Sequence, residues 1–306
     1  MRIITLLARH GTAVYADAVE AIDELFARRM PDVARDMIVV DTALPADRHD
    51  RLGAGRTLIG ASNAHWEFSA WDRAISCLAE RLAQYDLVHL ATSAFRMLSP
   101  RYLDRFDAAM LDSIRGRAAA LGHIDYYDHP VSVGDLSLRS WLRSSFIFLP
   151  PAELRLLGSL VSIDDPRPFF SGDPRAPFRA DAPLSTRYRD YIRDWLTGPG
   201  TGQGVEWHSR FELTPATLNL FEAKAMAILN EQILSARLRA QGCALIDATW
   251  LATRRAQQQA DDVLDVIPSW RWQITARDVD AAPRSLIALG ENADSSGRGG
   301  PDPGTR

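Results

Sequence analysis

Hydrophobic and polar positions fall into blocks along this chain. "RIITLLA" (2–8) is a continuous apolar-rich run of strand length, the pattern of a strand buried on both faces. "DAVEAIDELFARRMP" then places Val19, Ile22 and Phe26 at helical spacing and is stopped by Pro31. "MIVVD" (37–41) is a second buried-strand run. Parallel strands need a crossover, so the first forty residues read as a βαβ unit and an α/β fold is expected. After a glycine-rich turn, "RTLIG" (56–60) supplies a third strand, and "EFSAWDRAISCLAERLAQ" sets Trp71, Ile75, Leu78 and Leu82 on one helical stripe. "YDLVHLATSAF" (85–95) is the next strand. These strands run into polar positions at His10, Asp41, Asn63 and Thr92. In open α/β sheets, ligands sit outside such carboxyl ends.

The middle of the chain is less regular. "GHIDYYDHP" reads as a strand edge and turn, "LRSWLRSSFIFLP" (138–150) as a helical or loop segment entering an apolar strand, and "PPAELRLLGSLV" as a Pro-started helix. Residues 164–184 are dense in Pro, Gly and Asp and predict a long surface loop, either a lid or a connector. Further on, Thr214 and Pro215 suit an N-cap and first turn, Leu218, Phe221, Ala225 and Leu229 form a helical stripe, and Gly242 closes it. This gives a core over 1–200, a C-terminal helical segment over 201–284 packed on it, and a disordered tail over 285–306.

Composition narrows the function classes. With 306 residues and 46% hydrophobic positions, the chain can bury a sizeable core. A net charge of -4 argues against nucleic-acid binding. The start of the chain fits neither a signal peptide nor a membrane span, so a cytoplasmic protein with at most peripheral association at the inner face of a membrane is expected. Cys77 and Cys243 fit buried thiols in a reducing compartment.

"LLARHG" (6–11) is the first candidate for chemistry. A strand running into Arg9-His10-Gly11 is similar to the start of a histidine phosphatase, where the His attacks phosphorus and the Arg holds phosphate oxygens. That chemistry also needs a second His, a further Arg and an acid. His49, His65, His89, His123, His129 and His208 all lack the strand-then-His-Gly setting. His10 is therefore expected to be a strand-end residue beside a ligand and not a nucleophile.

Taken together, "MIVVDTALP", "LIGASNAHWEFSAWDRAI" and "YDLVHLATSAF" resemble the nucleotide-binding half of GT-A glycosyltransferases, and the "N…EFSAWDRA" segment followed by "YD" and an apolar strand resembles bacterial polysaccharide transferases of the rhamnan-synthesis and capsular type. "SSFIFLPPAELRLLGSLVS" and "EWHSRFEL…KAMAILNEQILSARLRAQGC" look like the acceptor side and C-terminal helix of that group, so the resemblance covers roughly residues 1–245. It implies a GT-A-like, mostly parallel sheet flanked by helices. It also implies transfer of a sugar from a nucleotide-sugar donor to a surface polysaccharide or lipid-linked glycan. On this resemblance Leu7–His10 and Asp41 would hold the donor's base, and Asn63 and the helix start at Glu67 would position the donor. A carboxylate can indeed accept the ring N–H of uracil or thymine. Trp71, on the apolar stripe, reads as core.

One departure stands out. Where the group carries an acidic motif for a divalent metal such as Mg or Mn, this chain has Ala91-Thr92-Ser93. Hydroxyls are poor ligands for a hard cation. Either Thr92 and Ser93 bind the donor without metal, with His208 and Lys224 as cations for the diphosphate, or catalysis has been lost and the chain is a glycosyltransferase-like binding module. Lys224 is the only lysine. The resemblance points to Asp164 or Asp165 as the general base on the acceptor side.

Overall fold

A computed structural model describes residues 1–97, 100–198, 211–257 and 264–277. β1 (Arg2–Arg9) lies inside the main sheet, between β2 (Ala34–Asp41) and β5 (Leu87–Thr92), parallel to both. Its side chains alternate between two cores: Ile3 and Leu7 on one face, Ile4, Leu6 and Ala8 on the other. Burial on both faces is why the strand reads as an apolar run and not as an alternation. The polar exception, Thr5, bonds the buried His89 at 3.1 Å (Oγ1 to Nδ1).

β3 (His49–Gly53) and β4 (Arg56–Gly60) form an antiparallel hairpin, with β4 parallel to β2. On the other side, β9 (Phe146–Leu149) runs antiparallel between β5 and β6 (Ala119–Gly122), and β10 (Ala244–Asp247) lies parallel to β6. The result is an eight-stranded, mostly parallel sheet in the order β10-β6-β9-β5-β1-β2-β4-β3.

Helices cover both faces. On one side, α1 (Ala18–Arg29), α3 (Ala108–Ile114) and α7 (Ala248–Gln257) pack Ile22, Phe26, Leu111 and Leu251 against Phe146 and Phe148. On the other, α2 (Glu67–Leu78), α4 (Pro151–Leu157), α8 (Trp270–Arg277) and the C-terminal half of α6 (Leu218–Ala240) bury Trp71, Leu154, Ile274 and Leu234. Trp71 is core, as its place on the stripe predicts, and its Nε1 donates to Leu6 O at 3.0 Å. A third cluster stands beside the sheet. The hairpin of β7 (Ile124–Val133) and β8 (Leu136–Leu142), α5 (Thr186–Thr197) and the N-terminal half of α6 gather there around Tyr188, Ile192, Phe221 and Leu229.

Several expectations change. Residues 138–142 form strand β8 and not a helical segment, because pairing with β7 overrides the helix-like spacing of Leu138, Trp141 and Leu142. The C-terminal part is not purely helical, since β10 joins the main sheet. α6 starts at Leu218, so Thr214 and Pro215 belong to the preceding turn, in which Thr217 Oγ1 accepts from Thr214 N at 2.9 Å. Gly242 does close the helix, at φ 88°. Residues 164–184 contain no helix, but Phe169, Phe170, Phe178 and Leu184 anchor the segment in the third cluster. The expected tail at 285–306 lies outside the described residues. No helix among those described is long and apolar enough to cross a membrane.

Gly60 is a strict requirement of this fold. A Cβ there would lie 1.7 Å from Pro45 O and 2.7 Å from Pro45 C, both backbone atoms that cannot rotate away. Gly60→Ala should therefore cost at least the about 1–3 kcal/mol of ordinary overpacking. Urea unfolding is expected to show a lowered midpoint at unchanged slope; an unchanged midpoint would mean that the 44–48 loop does not pack on β4.

Candidate functional site

The chain leaves the carboxyl end of β1 between two parallel neighbours, β2 on one side and β5 on the other. Such a switch point opens a crevice in an α/β sheet. A cavity of about 460 Å³ lies there, within the size range of small-molecule sites. Its floor is made of strand ends and the start of a helix: Arg9 and His10 at the end of β1, Thr42 after β2, Asn63 and Glu67 at the entry of α2, and Thr92 and Ser93 at the end of β5. α6 forms the opposite wall with Lys224, Ala227, Ile228 and Glu231, which are three, four and seven residues apart and so share one helical face. Val14, Met97, Ile192 and Trp195 make an apolar side.

Asp41 sits beneath the floor and does not line the cavity. Its side chain is 4% exposed, and its carboxylate ties the two loops together. Oδ1 accepts from Gly11 N at 2.8 Å and Ala43 N at 3.0 Å, while Oδ2 accepts from Arg9 Nε at 2.8 Å. Burial alone would raise its pKa, but the two backbone donors and Arg9 outweigh that and hold it below the ordinary carboxylate range. The place assigned to it by the donor-base expectation is therefore taken by internal donors, and Asp41 is a structural tie. His10 is exposed and shares a 3.0 Å contact, Nδ1 to Oγ1, with Thr42. Among the described residues of the lining it is the only histidine.

The charged wall is organised around Ser144. Its N–H donates to Glu231 Oε1 at 2.6 Å and its hydroxyl to Glu67 Oε1 at 3.1 Å, so one residue holds two carboxylates side by side. Burial raises the Glu67 pKa, against the opposing pull of its own backbone N–H, Ser144 and Lys224. Burial likewise lowers that of Lys224, with Glu67 opposing. The Lys224 ammonium also lies 5.1 Å from the centroid of the Trp66 ring. Burial and the nearby carboxylates of Asp125 and Glu67 push Glu231 up to about 7, despite the hydrogen bonds from Ser144. Beside it, Arg143 binds Asp125 through Nε and Nη2, both at 3.0 Å. Desolvation opposes ionisation of Asp125, but Arg143 and His123 prevail and its pKa is strongly lowered.

Six of the residues singled out from sequence, His10, Asn63, Glu67, Thr92, Ser93 and Lys224, meet in this one cavity. Asp164 and Asp165 do not. Asp164 is 89% exposed and bonded to His65 Nε2 at 2.7 Å, and Asp165 pairs with Arg167 at 2.8 Å on the surface. Neither lines the cavity, so the structure does not bring the expected general base together with the other six residues. His208 lies outside the described residues. The sequence reading missed Asp125, Arg143, Ser144 and Glu231, although extending the face of Lys224 by two helical turns would have reached Glu231.

The donor set at the end of β5, hydroxyls followed by Ala94, does not suit a hard divalent cation. Among the described residues no cluster of three or more His, Cys, Asp or Glu side chains is placed to hold a metal. No protein-family model and no curated protein matches the chain.

Asp41→Ala should lower stability by about 3 kcal/mol or more, since three donors lose a charged partner. A carboxylate whose pKa is depressed by folding contributes stability above its unfolded pKa, near 4, and loses it as pH falls through the folded value. The Tm gap between wild type and variant is thus expected to be full at neutral pH and to narrow in acid. A gap independent of pH would show that the charge of Asp41 is not what ties the loops.

Proposed function

We propose that the protein is a glycosyltransferase that moves a sugar from a nucleotide-sugar donor to a surface polysaccharide or lipid-linked glycan. The observation that carries this reading is the meeting, at the switch point of the sheet, of a polar strand-end floor with a charged wall from α6. Arg9, His10 and Thr42 offer polar groups to a nucleoside, Thr92 and Ser93 offer hydroxyls to a diphosphate, and Lys224 offers a cation where leaving-group charge develops. The reversed strand β9 within an otherwise parallel inner sheet is compatible with a GT-A-like core. A cytoplasmic enzyme with at most peripheral membrane contact fits the same reading.

A second reading, a non-catalytic glycosyltransferase-like module, is favoured by one feature: the hydroxyl-only end of β5. The histidine phosphatase has less behind it, because His10 has no second histidine beside it among the described lining residues.

The test is thermal unfolding with uridine, thymidine and guanosine diphosphates, each with magnesium, manganese or chelator. A ligand that binds only the folded state raises Tm. At least one nucleotide is expected to do so, with a shift that survives chelation. Lys224→Met should weaken that nucleotide by roughly ten- to a hundred-fold, the about 1.5–3 kcal/mol of a hydrogen bond to a charged group. Absence of any shift would sink the donor reading; a shift that appears only with metal would sink the metal-independent form of it.

A further inference from the structure

We propose that Glu231 is the general base of this site, accepting the proton of the acceptor hydroxyl during sugar transfer, and that Ser144 positions it. The proposal rests on the nucleotide-sugar reading given above.

Among the described residues three carboxylates line the cavity, and their partners differ. Asp125 is held by the Arg143 guanidinium through two 3.0 Å bonds, which fixes it as an ion-pair member. Glu67 lies by the Lys224 ammonium and takes the Ser144 hydroxyl. Glu231 is held by a neutral group, the Ser144 N–H, at 2.6 Å. A base must be ionised yet willing to take a proton, and it must reach the ligand. Glu231 thus lines the cavity with a neutral donor as its hydrogen-bond partner, and burial beside Asp125 and Glu67 raises its proton affinity.

The groups around it explain that affinity. From α2 comes Glu67, from β7 Asp125 and Tyr127, from the end of β8 Arg143, from α5 Tyr188, and from its own helix Lys224. Two neighbouring carboxylates and burial disfavour its charge, while Ser144 and Arg143 moderate the effect.

In the step itself the acceptor oxygen bonds to the anomeric carbon of the donor sugar, and the bond from that carbon to the phosphate oxygen breaks. The electron pair of the broken bond leaves with the nucleoside diphosphate. The acceptor proton passes to the Glu231 carboxylate and from there to water.

Glu231→Gln keeps the size of the side chain and an oxygen for the Ser144 N–H. Turnover is read as nucleoside diphosphate released from uridine, thymidine and guanosine diphosphate sugars, with water and simple alkyl glycosides as acceptors. The variant is expected to retain nucleotide-induced stabilisation while losing about a hundred- to ten-thousand-fold in turnover. Because the base works deprotonated, the wild-type rate should rise with pH through about 7 and then level off, a limb that the variant lacks. Ser144→Ala keeps the N–H that holds Glu231 but removes the hydroxyl that Glu67 accepts, so the limb should persist at a shifted pH, whereas Glu231→Gln has none. A variant Glu231→Gln that keeps its rate or its pH limb overturns the assignment and leaves the donor reading intact. A wild type that binds nucleotides but turns no donor over also overturns it, in favour of the binding module. A wild type that binds none overturns the donor reading itself.

Discussion

The carboxylate of Asp41 is the constraint on which the crevice depends. Two parallel strands end side by side, and the loops that leave them carry backbone N–H groups with no sheet partner. At Gly11, where the chain turns with φ 65°, and at Ala43, those donors point to one oxygen of Asp41, and Arg9 takes the other. A buried charge without donors would be costly, and so would buried donors without an acceptor. Each requirement satisfies the other, which fixes the distance between the β1 and β2 ends. His10 and Thr42, the residues that follow, are then set on the cavity floor. Trp71 adds a second fixed point, since its Nε1 donates to carbonyls of both β1 and β5. The start of α2, with Trp66 and Glu67, is thereby held against the same strand ends.

The opposite wall depends on α6, which among the described residues is the one helix with residues in both the sheet core and the third cluster. A helix buried on several sides cannot show a clean apolar stripe. Its buried polar residues each have a structural partner. Asn230 accepts from Ser162 N at 2.6 Å and Ile163 N at 2.9 Å, Gln232 donates to Tyr127 Oη at 2.8 Å and accepts from Tyr188 Oη at 2.7 Å, and Ser235 accepts from Leu142 N at 2.9 Å. These bonds lock the rotation of α6 about its axis. With Asn230 and Gln232 held by flanking elements, Glu231 between them is presented to the cavity. The polar run Asn230-Glu231-Gln232 is thus tied to flanking elements at its two ends and turned toward the cavity in its middle.

The parts of this architecture that sequence made legible are those governed by local pattern. β1, β2, β4 and β5 are apolar enough to announce themselves, and polar residues at or just past their ends, such as His10, Asn63 and Thr92, mark the floor of the cavity. β3 carries no apolar signal because it is an exposed edge, and β10 is too short for periodicity to distinguish it. α5 hides Tyr188, Ile192 and Leu196 in an otherwise polar segment. The charged wall was illegible for another reason: Ser144 and Glu231 are 87 residues apart, and no spacing rule joins them. Asp41 shows the opposite failure, because its position at a strand end was read correctly while its partners, which decide its role, were out of view. Asp164 and Asp165 likewise lie in the loop expected, but their partners, His65 and Arg167, could not be read from spacing.

Trp66 shows where the molecule accepts local cost to build the site. It adopts φ 54° and ψ -131° at the entry to α2, a conformation that side-chain-bearing residues rarely take. Such backbone strain costs on the order of 1–3 kcal/mol and persists only where surrounding structure imposes it. Here the bend lets the chain turn from Asn63, on the cavity floor, directly into the helix that carries Glu67. The indole that results lies beneath the Lys224 ammonium, which faces Glu67 as well. A glycine would relieve the strain, but it would remove the aromatic face that helps keep a partly buried cation charged. The strained residue therefore couples the geometry of the floor to the charge of the wall, and the two sides of the cavity are not independent.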